Sequence, residues 1–109
     1  MNSLSKFEFK AFDLKNPISS ELFRDFYDIM VSSFPKEERR TREEFLKLTE
    51  KCEKYKIYAL LDSEKLVAFL TVWEFKTFAF IDHFAVSPSL RNKGIGADFL
   101  SKVLILIYI

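Results

Sequence analysis

The second half of the chain carries three apolar runs in close succession: YKIYALLD, KLVAFLTVWEF and TFAFIDHFAV. Short polar breaks, at residues 62–65 and near Lys76, separate them. Runs of this length, rich in aromatic and β-branched residues, read as strands. The breaks leave room for tight turns and none for a crossover helix, so the three strands are antiparallel neighbours. A small apolar sheet of this kind needs other elements to cover its faces.

The flanking segments supply those covers. KFEFKAF alternates, with Phe7 and Phe9 opposed to Lys6, Glu8 and Lys10, which predicts a first strand with one wet face. LKNP breaks it. Ser19 or Ser20 can cap a helix beginning at Glu21, with Leu22, Phe26, Ile29 and Met30 on one stripe, ending near Phe34 before Pro35. FPKEERR is a charged connection. Thr41 and Glu44 have capping-box spacing, so a second helix starts there, with Phe45, Leu48 and Cys52 on its inner face. Glu43 and Lys47, and Glu50 and Lys54, are spaced to pair on its wet side. From Ile95 the helical period returns, through Phe99, Val103 and Leu106. The order is β-α-α-β-β-β-α, an α+β fold.

A chain of 109 residues reads as a single domain spanning 1–109 and can bury a core without disulfides. Thirteen phenylalanines predict an aromatic-rich core. The net charge of +1 gives no global electrostatic reason for a nucleic-acid or membrane partner. One cysteine rules out a disulfide within the chain and fits a reducing cytoplasm. No electropositive setting surrounds Cys52, so it reads as a small apolar helix residue and not as a reactive thiol. MNSLSKFEFK is too polar for a secretion signal, and VLILIYI falls far short of the ~20 residues needed to span a bilayer.

Both glycines of the chain, Gly94 and Gly96, stand where the third run gives way to a helix. The first amides of a helix have no internal acceptor, and the helix dipole adds positive potential there. Glycines remove side chains that would block a phosphate, and Arg91 and Lys93 add charge. The ligand implied is phosphorylated, of pyrophosphate kind. A P-loop is excluded because Ala97 and Asp98 follow Gly96 where Lys-Ser/Thr would be needed. A Rossmann fingerprint is excluded because the third small position holds Phe99 and the neighbouring strands are antiparallel.

RNKGIG has the form Arg-x-x-Gly-x-Gly and follows a strand ending HFAV and a SPSL turn. With the β-α-α-β-β-β-α order, and with SFPKEERRT between the first two helices, the chain resembles the GCN5-related N-acetyltransferase (GNAT) family over its whole length. The resemblance implies a mostly antiparallel central sheet flanked by helices, and acetyl transfer from acetyl-CoA to a primary amine with no covalent enzyme intermediate and no metal. It assigns Arg91, Asn92, Lys93, Gly94, Ile95 and Gly96 to the pyrophosphate, largely through backbone amides, with Ala97 just inside the helix. Phe84, Ala85 and Val86 would offer backbone groups to the pantetheine arm, and an amide there can stabilise the oxyanion of the reaction.

The amine must lose a proton to attack. Asp82 and His83 are the candidate bases. Strand alternation puts them on opposite faces, so at most one can face the acceptor. Asp82 has the spacing from the glycines at which some aminoglycoside-acetylating members carry a proposed base; His83 has the better unperturbed pKa. The competing readings are a hydrogen-bonded structural histidine and a turn or capping aspartate. By resemblance the loop of Glu37, Glu38, Arg39 and Arg40 lies near the acceptor entrance, where a solvated surface is the alternative. Trp73 and Phe75 could line an acceptor pocket or pack in the core. The family continues with a fifth strand and beyond, including a tyrosine that protonates the leaving thiolate. The resemblance therefore implies a shortened member, in which Tyr108 lies in the wrong element for that role. An unpaired fourth-strand edge and an apolar final helix predict a homodimer or larger assembly. The alternative function is a non-catalytic remnant that binds CoA or associates with itself.

Overall fold

In the computed structural model, which describes residues 4–108, each of the first two helices starts at its expected cap. Residues 1–3 and 109, part of the polar opening and the apolar ending read above, lie outside the described residues. Helix α1 (Ser20–Ser33) begins with the Leu22 amide donating to Ser19 Oγ at 3.2 Å, and Phe34 closes it with an amide bond to the Met30 carbonyl. Its buried stripe is Phe23, Phe26, Ile29 and Met30. Phe23 takes the inward place expected of Leu22, which packs at the margin of the core. Helix α2 (Arg42–Lys51) opens on a complete capping box: the Glu44 amide donates to Thr41 Oγ1 at 3.2 Å, and the Thr41 amide to Glu44 Oε1 at 2.8 Å. Of its inner face only Phe45 is fully buried; Leu48 and Cys52 pack partly against the core. The expected pairs on its wet side do not close, and Lys54 instead lies 3.9 Å from Glu53.

Strand β1 (Glu8–Phe12) precedes the helices, and β2 (Tyr55–Asp62), β3 (Lys65–Glu74) and β4 (Ala79–Val86) follow them; α3 (Ile95–Tyr108) comes last. One antiparallel sheet results, in the order β1-β2-β3-β4, which is the α+β architecture read from the sequence. Ser63 and Glu64 turn the β2–β3 hairpin at positive φ, 51° and 70°, with no glycine to help.

The sheet separates two cores. Helices α1 and α2 bury Phe23, Phe26, Phe45 and Met30 against Tyr55, Ile57 and Phe69 on one face. The Phe26 ring meets Phe45 and Phe69 edge-on at 5.4 and 4.6 Å, the favoured aromatic geometry. Helix α3 buries Ile95, Phe99 and Val103 against Leu60, Leu70 and Val72 on the other face. Its stripe runs on to Ile107 and not to Leu106, which is 54% exposed. The step of four from Val103 keeps the same face; the step of three had swung it outward.

Two register shifts interrupt the ladders. One of them lies in β4, at the candidate bases. Thr71 pairs with His83, and the next residue, Val72, pairs with Ile81, so Asp82 is an extra residue on β4. Such a bulge breaks strand alternation.

Thr41→Ala should lower stability by about 1 kcal/mol in urea unfolding, because the capping box is lost. The Thr41 amide and hydroxyl hold the Glu44 carboxyl below its ordinary value of 4.5. The contribution of Glu44 is therefore complete above that value and fades as pH falls through the lowered one. The gap between wild type and Thr41→Ala should narrow accordingly in acid.

Candidate functional site

The turn after β4 is built for close approach to backbone. Asn92 and Gly94 take positive φ, 64° and 75°. The Gly94 carbonyl accepts the Asp98 amide at 3.2 Å, so Gly94 is the cap of α3, and the amides of Ile95, Gly96 and Ala97 have no intrahelical acceptor. A Cβ on Gly94 would meet nothing within 4 Å, and residues 91–94 are exposed. Gly96 has a different reason. A Cβ there would meet Val86 Cγ2 at 3.3 Å and Phe84 Cζ at 3.4 Å, so its smallness lets α3 sit close on β4 and does not open the approach. Arg91 turns back into the protein. Its Nε donates to the Val86 carbonyl at 3.1 Å and its Nη2 to Ser33 Oγ at 3.0 Å, tying the loop to β4 and to the last residue of α1. Lys93 makes no hydrogen bond or ion pair among the described residues, and its charge stands at the mouth of the loop.

The second cluster forms at the bulge. Asp82 Oδ2 accepts from Arg40 Nη1 at 2.6 Å and from Trp73 Nε1 at 3.3 Å. The Arg40 guanidinium lies over the rings of Phe45 and Trp73, 5.9 and 5.8 Å from their centroids. His83 Nε2 is 2.8 Å from the Glu38 carbonyl oxygen, which can only accept, so Nε2 carries the hydrogen. Nδ1 then holds the lone pair of the neutral ring. It is buried, without a hydrogen-bond partner among the described residues, 3.7 Å from Asp82 Oδ2. The imidazole packs edge-on to Phe34 at 4.9 Å. Asp82 and His83 therefore lie on one face, against the alternation expected from the sequence, because the bulge adds a residue between them and the ladder below.

A cleft of about 470 Å³ lies elsewhere, between α1, the β2–β3 hairpin and Ser87 to Ser89. Asp25, Asp28 and Asp62 line it with Lys65, a setting that disfavours a diphosphate. Among the described residues, no three acidic, histidine or cysteine side chains gather as a metal site, and no helix is long and apolar enough to cross a membrane.

The model of the Acetyltransferase (GNAT) family matches residues 20–105, from the start of α1 into α3. The chain belongs to the GNAT family. Solved GNAT structures share the fold. A Bacteroides thetaiotaomicron protein assigned to the GNAT family superposes with a TM-score of 0.78 at 26% identity, over 93% of this chain and 56% of that one. The ribosomal-protein-S18-alanine N-acetyltransferase of Escherichia coli gives 0.68 at 18% identity, over 92% and 59%. An aminoglycoside acetyltransferase from an uncultured soil metagenomic sample, in complex with sisomicin, gives 0.64 at 18%, over 94% and 70%. The chain thus spans little more than half the length of the first two. No curated protein matches it by sequence.

Within this GNAT fold the candidate residues fall into two groups. Phe84, Ala85, Val86 and residues 91–97 surround the turn into α3; Asp82 and His83 sit at the bulge with Trp73. Phe75 stands apart, stacked on Phe78 at 4.8 Å in the β3–β4 hairpin. Tyr108 Oη donates to the Ala79 carbonyl at 3.3 Å, far along the strand from the glycines. Sequence reasoning missed Ser33 as the anchor of Arg91 and Arg40 as the partner of Asp82. A charged residue turned inward from a loop has no periodic signature.

Gly94→Ala should cost about 1–2 kcal/mol from the left-handed backbone alone. Gly96→Val should cost more, since Phe84 and Val86 must move. Urea unfolding of the two variants checks the order.

Proposed function

We propose that the chain is an N-acetyltransferase that moves the acetyl group of acetyl-CoA to a primary amine. The observation that carries this reading is the turn into α3: three helix-start amides beside an unobstructed Gly94, following a strand with one free edge. The residues fit a pyrophosphate. The amides of Ile95, Gly96 and Ala97 and the helix dipole favour an anion, Lys93 adds charge, and no side chain fills the space over Gly94. Asn92 and Arg91 shape the turn, Arg91 by its bonds to Val86 and Ser33.

When bound, acetyl-CoA supplies the acetyl group as a thioester. The chain's residues do the rest. Among the described residues β4 pairs only with β3, so alternate backbone groups of residues 84–86 face away from the sheet and can bond the pantetheine arm. The Ser87 amide bonds the Val67 carbonyl, so by the same register Ala85 faces Phe69 in β3 and the outward groups are those of Phe84 and Val86; with the Val86 carbonyl taken by Arg91, that work falls to Phe84 and the Val86 amide. We assign the proton of the amine to the Asp82–His83 pair. Both donors on Asp82 use Oδ2, leaving Oδ1 as the accepting atom. His83, more deeply buried, stands behind with its Nδ1 lone pair.

A second reading, a CoA-binding or self-associating module without catalysis, is favoured by one observation. Phe78, just before β4, and Phe80 and Ile81 at its start are 59%, 55% and 36% exposed, and Asp82, the one charged residue of β4, is turned toward Arg40. An edge strand without outward charges invites another strand. We place a homodimer contact there.

Thiol release from acetyl-CoA in the presence of an amine panel tests the first reading, and its absence with every amine sinks it. Coenzyme A at 100 times its dissociation constant should stabilise the fold by about 2.7 kcal/mol. Lys93→Glu should weaken that binding roughly tenfold, about 1.4 kcal/mol. Sedimentation of wild type and Phe80→Lys should show a dimer and a monomer; a monomeric wild type overturns the contact.

A further inference from the structure

We propose that Arg40 is a positioning residue for the reaction, fixing the Asp82 carboxylate and clasping the connection between α1 and α2 onto the bulge of β4. For its kinetic consequences the proposal rests on the acetyl-transfer reading. Asp82 is the extra residue of the bulge, so no regular ladder pairing orients it. Its carboxylate is aimed by side chains alone: Arg40 at 2.6 Å and Trp73 at 3.3 Å, both on Oδ2. The shorter, charge-assisted bond is the stronger of the two. The side chains of Arg40 and Asp82 are 34% and 14% exposed, so the pair is partly shielded from water.

Arg40 is itself held in place. Its guanidinium is flanked by Phe45 and Trp73, and its backbone immediately precedes Thr41, the cap of α2. Glu44 of that cap is near enough to feel its charge. Orientation therefore passes from the start of α2 through Arg40 to Asp82. Two residues earlier the same connection is pinned again, by His83 Nε2 on the Glu38 carbonyl. The two bonds bracket residues 38–40 against adjacent residues of β4. Arg39 does different work. It bonds the Phe34 carbonyl and Tyr27 Oη, within the helical layer, and does not touch Asp82.

Without Arg40, Asp82 keeps only the longer Trp73 bond, and of the two side-chain pins between the connection and β4 only that of His83 remains. A carboxylate free to swing transfers a proton less well, because alignment of the reacting groups is lost. Lysine would restore the charge but not the flat group that lies between two rings.

The test compares Arg40→Gln, Arg40→Lys and, as a control, Arg39→Gln. Circular dichroism and urea unfolding first establish folding and stability. Steady-state kinetics then use acetyl-CoA with a peptide bearing an N-terminal alanine, kanamycin and spermidine. Hydrogen exchange is followed at the amides of residues 36–41 in the free protein. For Arg40→Gln we expect kcat on the best amine to fall roughly tenfold or more, with the KM for acetyl-CoA unchanged. We expect faster exchange at residues 36–41 in that variant, and partial recovery of both readouts in Arg40→Lys. Unchanged kcat in Arg40→Gln, or an equal loss in Arg39→Gln at equal stability, overturns the positioning role. If wild type releases thiol with none of the amines, the acetyl-transfer reading and the kinetic half of the proposal fail together. The clasp is then decided by exchange alone, and unchanged exchange in Arg40→Gln overturns it.

Discussion

The amide of His83 donates to Thr71 Oγ1 at 2.8 Å, at a place where Thr71 has no exposed surface. The same hydroxyl lies 3.4 Å from the His83 carbonyl. A bulge disturbs the ladder, and a buried amide left without an acceptor costs about 1–3 kcal/mol. Thr71 supplies that acceptor from a side chain. A valine of the same shape would pack equally well and leave the amide unpaired. With the bulge held, the chain can place Asp82 and His83 side by side on the face of α1 and α2. Without it, alternation would send one of them toward α3, and Asp82 could not hold Arg40 while His83 holds the Glu38 carbonyl.

The end of α1 connects the two candidate regions. Ser33, its last residue, accepts from Arg91 and so holds the glycine turn. Phe34, the next residue, lies edge-on to His83. Two adjacent residues thus reach the turn after β4 and the bulge within it. Helix α1 packs on β3 and β4 through Phe23, Phe26 and Met30, so the end that carries Ser33 and Phe34 is backed by the main core. The distance between the glycine turn and the bulge is fixed by packing and not by the loops themselves.

Much of this was legible in the sequence, and the reason lies in locality. The Thr41–Glu44 box, the Ser19 cap and the glycine turn each rest on residues within a few positions of one another, so spacing alone reveals them. The meander followed from three apolar runs and their short breaks. The bulge was not legible, because an inserted residue in a strand leaves the residue types almost unchanged while reversing which way they face. Asp82 and His83 were therefore assigned wrongly to opposite faces. Arg40 was visible only as part of a charged loop; its partner is 42 positions away, and a single inward arginine has no period. Gly96 shows the reverse case. Its identity was noticed, but its reason, the nearness of Phe84 and Val86, is a tertiary fact.

The two regions differ in what they are made of. The turn into α3 is largely backbone, exposed, and held open by the absence of side chains at Gly94. Such a site recognises charge and shape, and tolerates change in its neighbours as long as the backbone path survives. The cluster at the bulge is mostly side chains, partly buried, and each member has a partner on another element: Asp82 with Arg40 and Trp73, His83 with the Glu38 carbonyl and Phe34. Such a site aims individual atoms and fails when one partner is lost. Binding a diphosphate needs the first kind of construction; directing a proton needs the second. Under the proposed acetyl transfer, β4 and the turn that follows it would carry both, and the bulge would be the point from which that chemistry is organised.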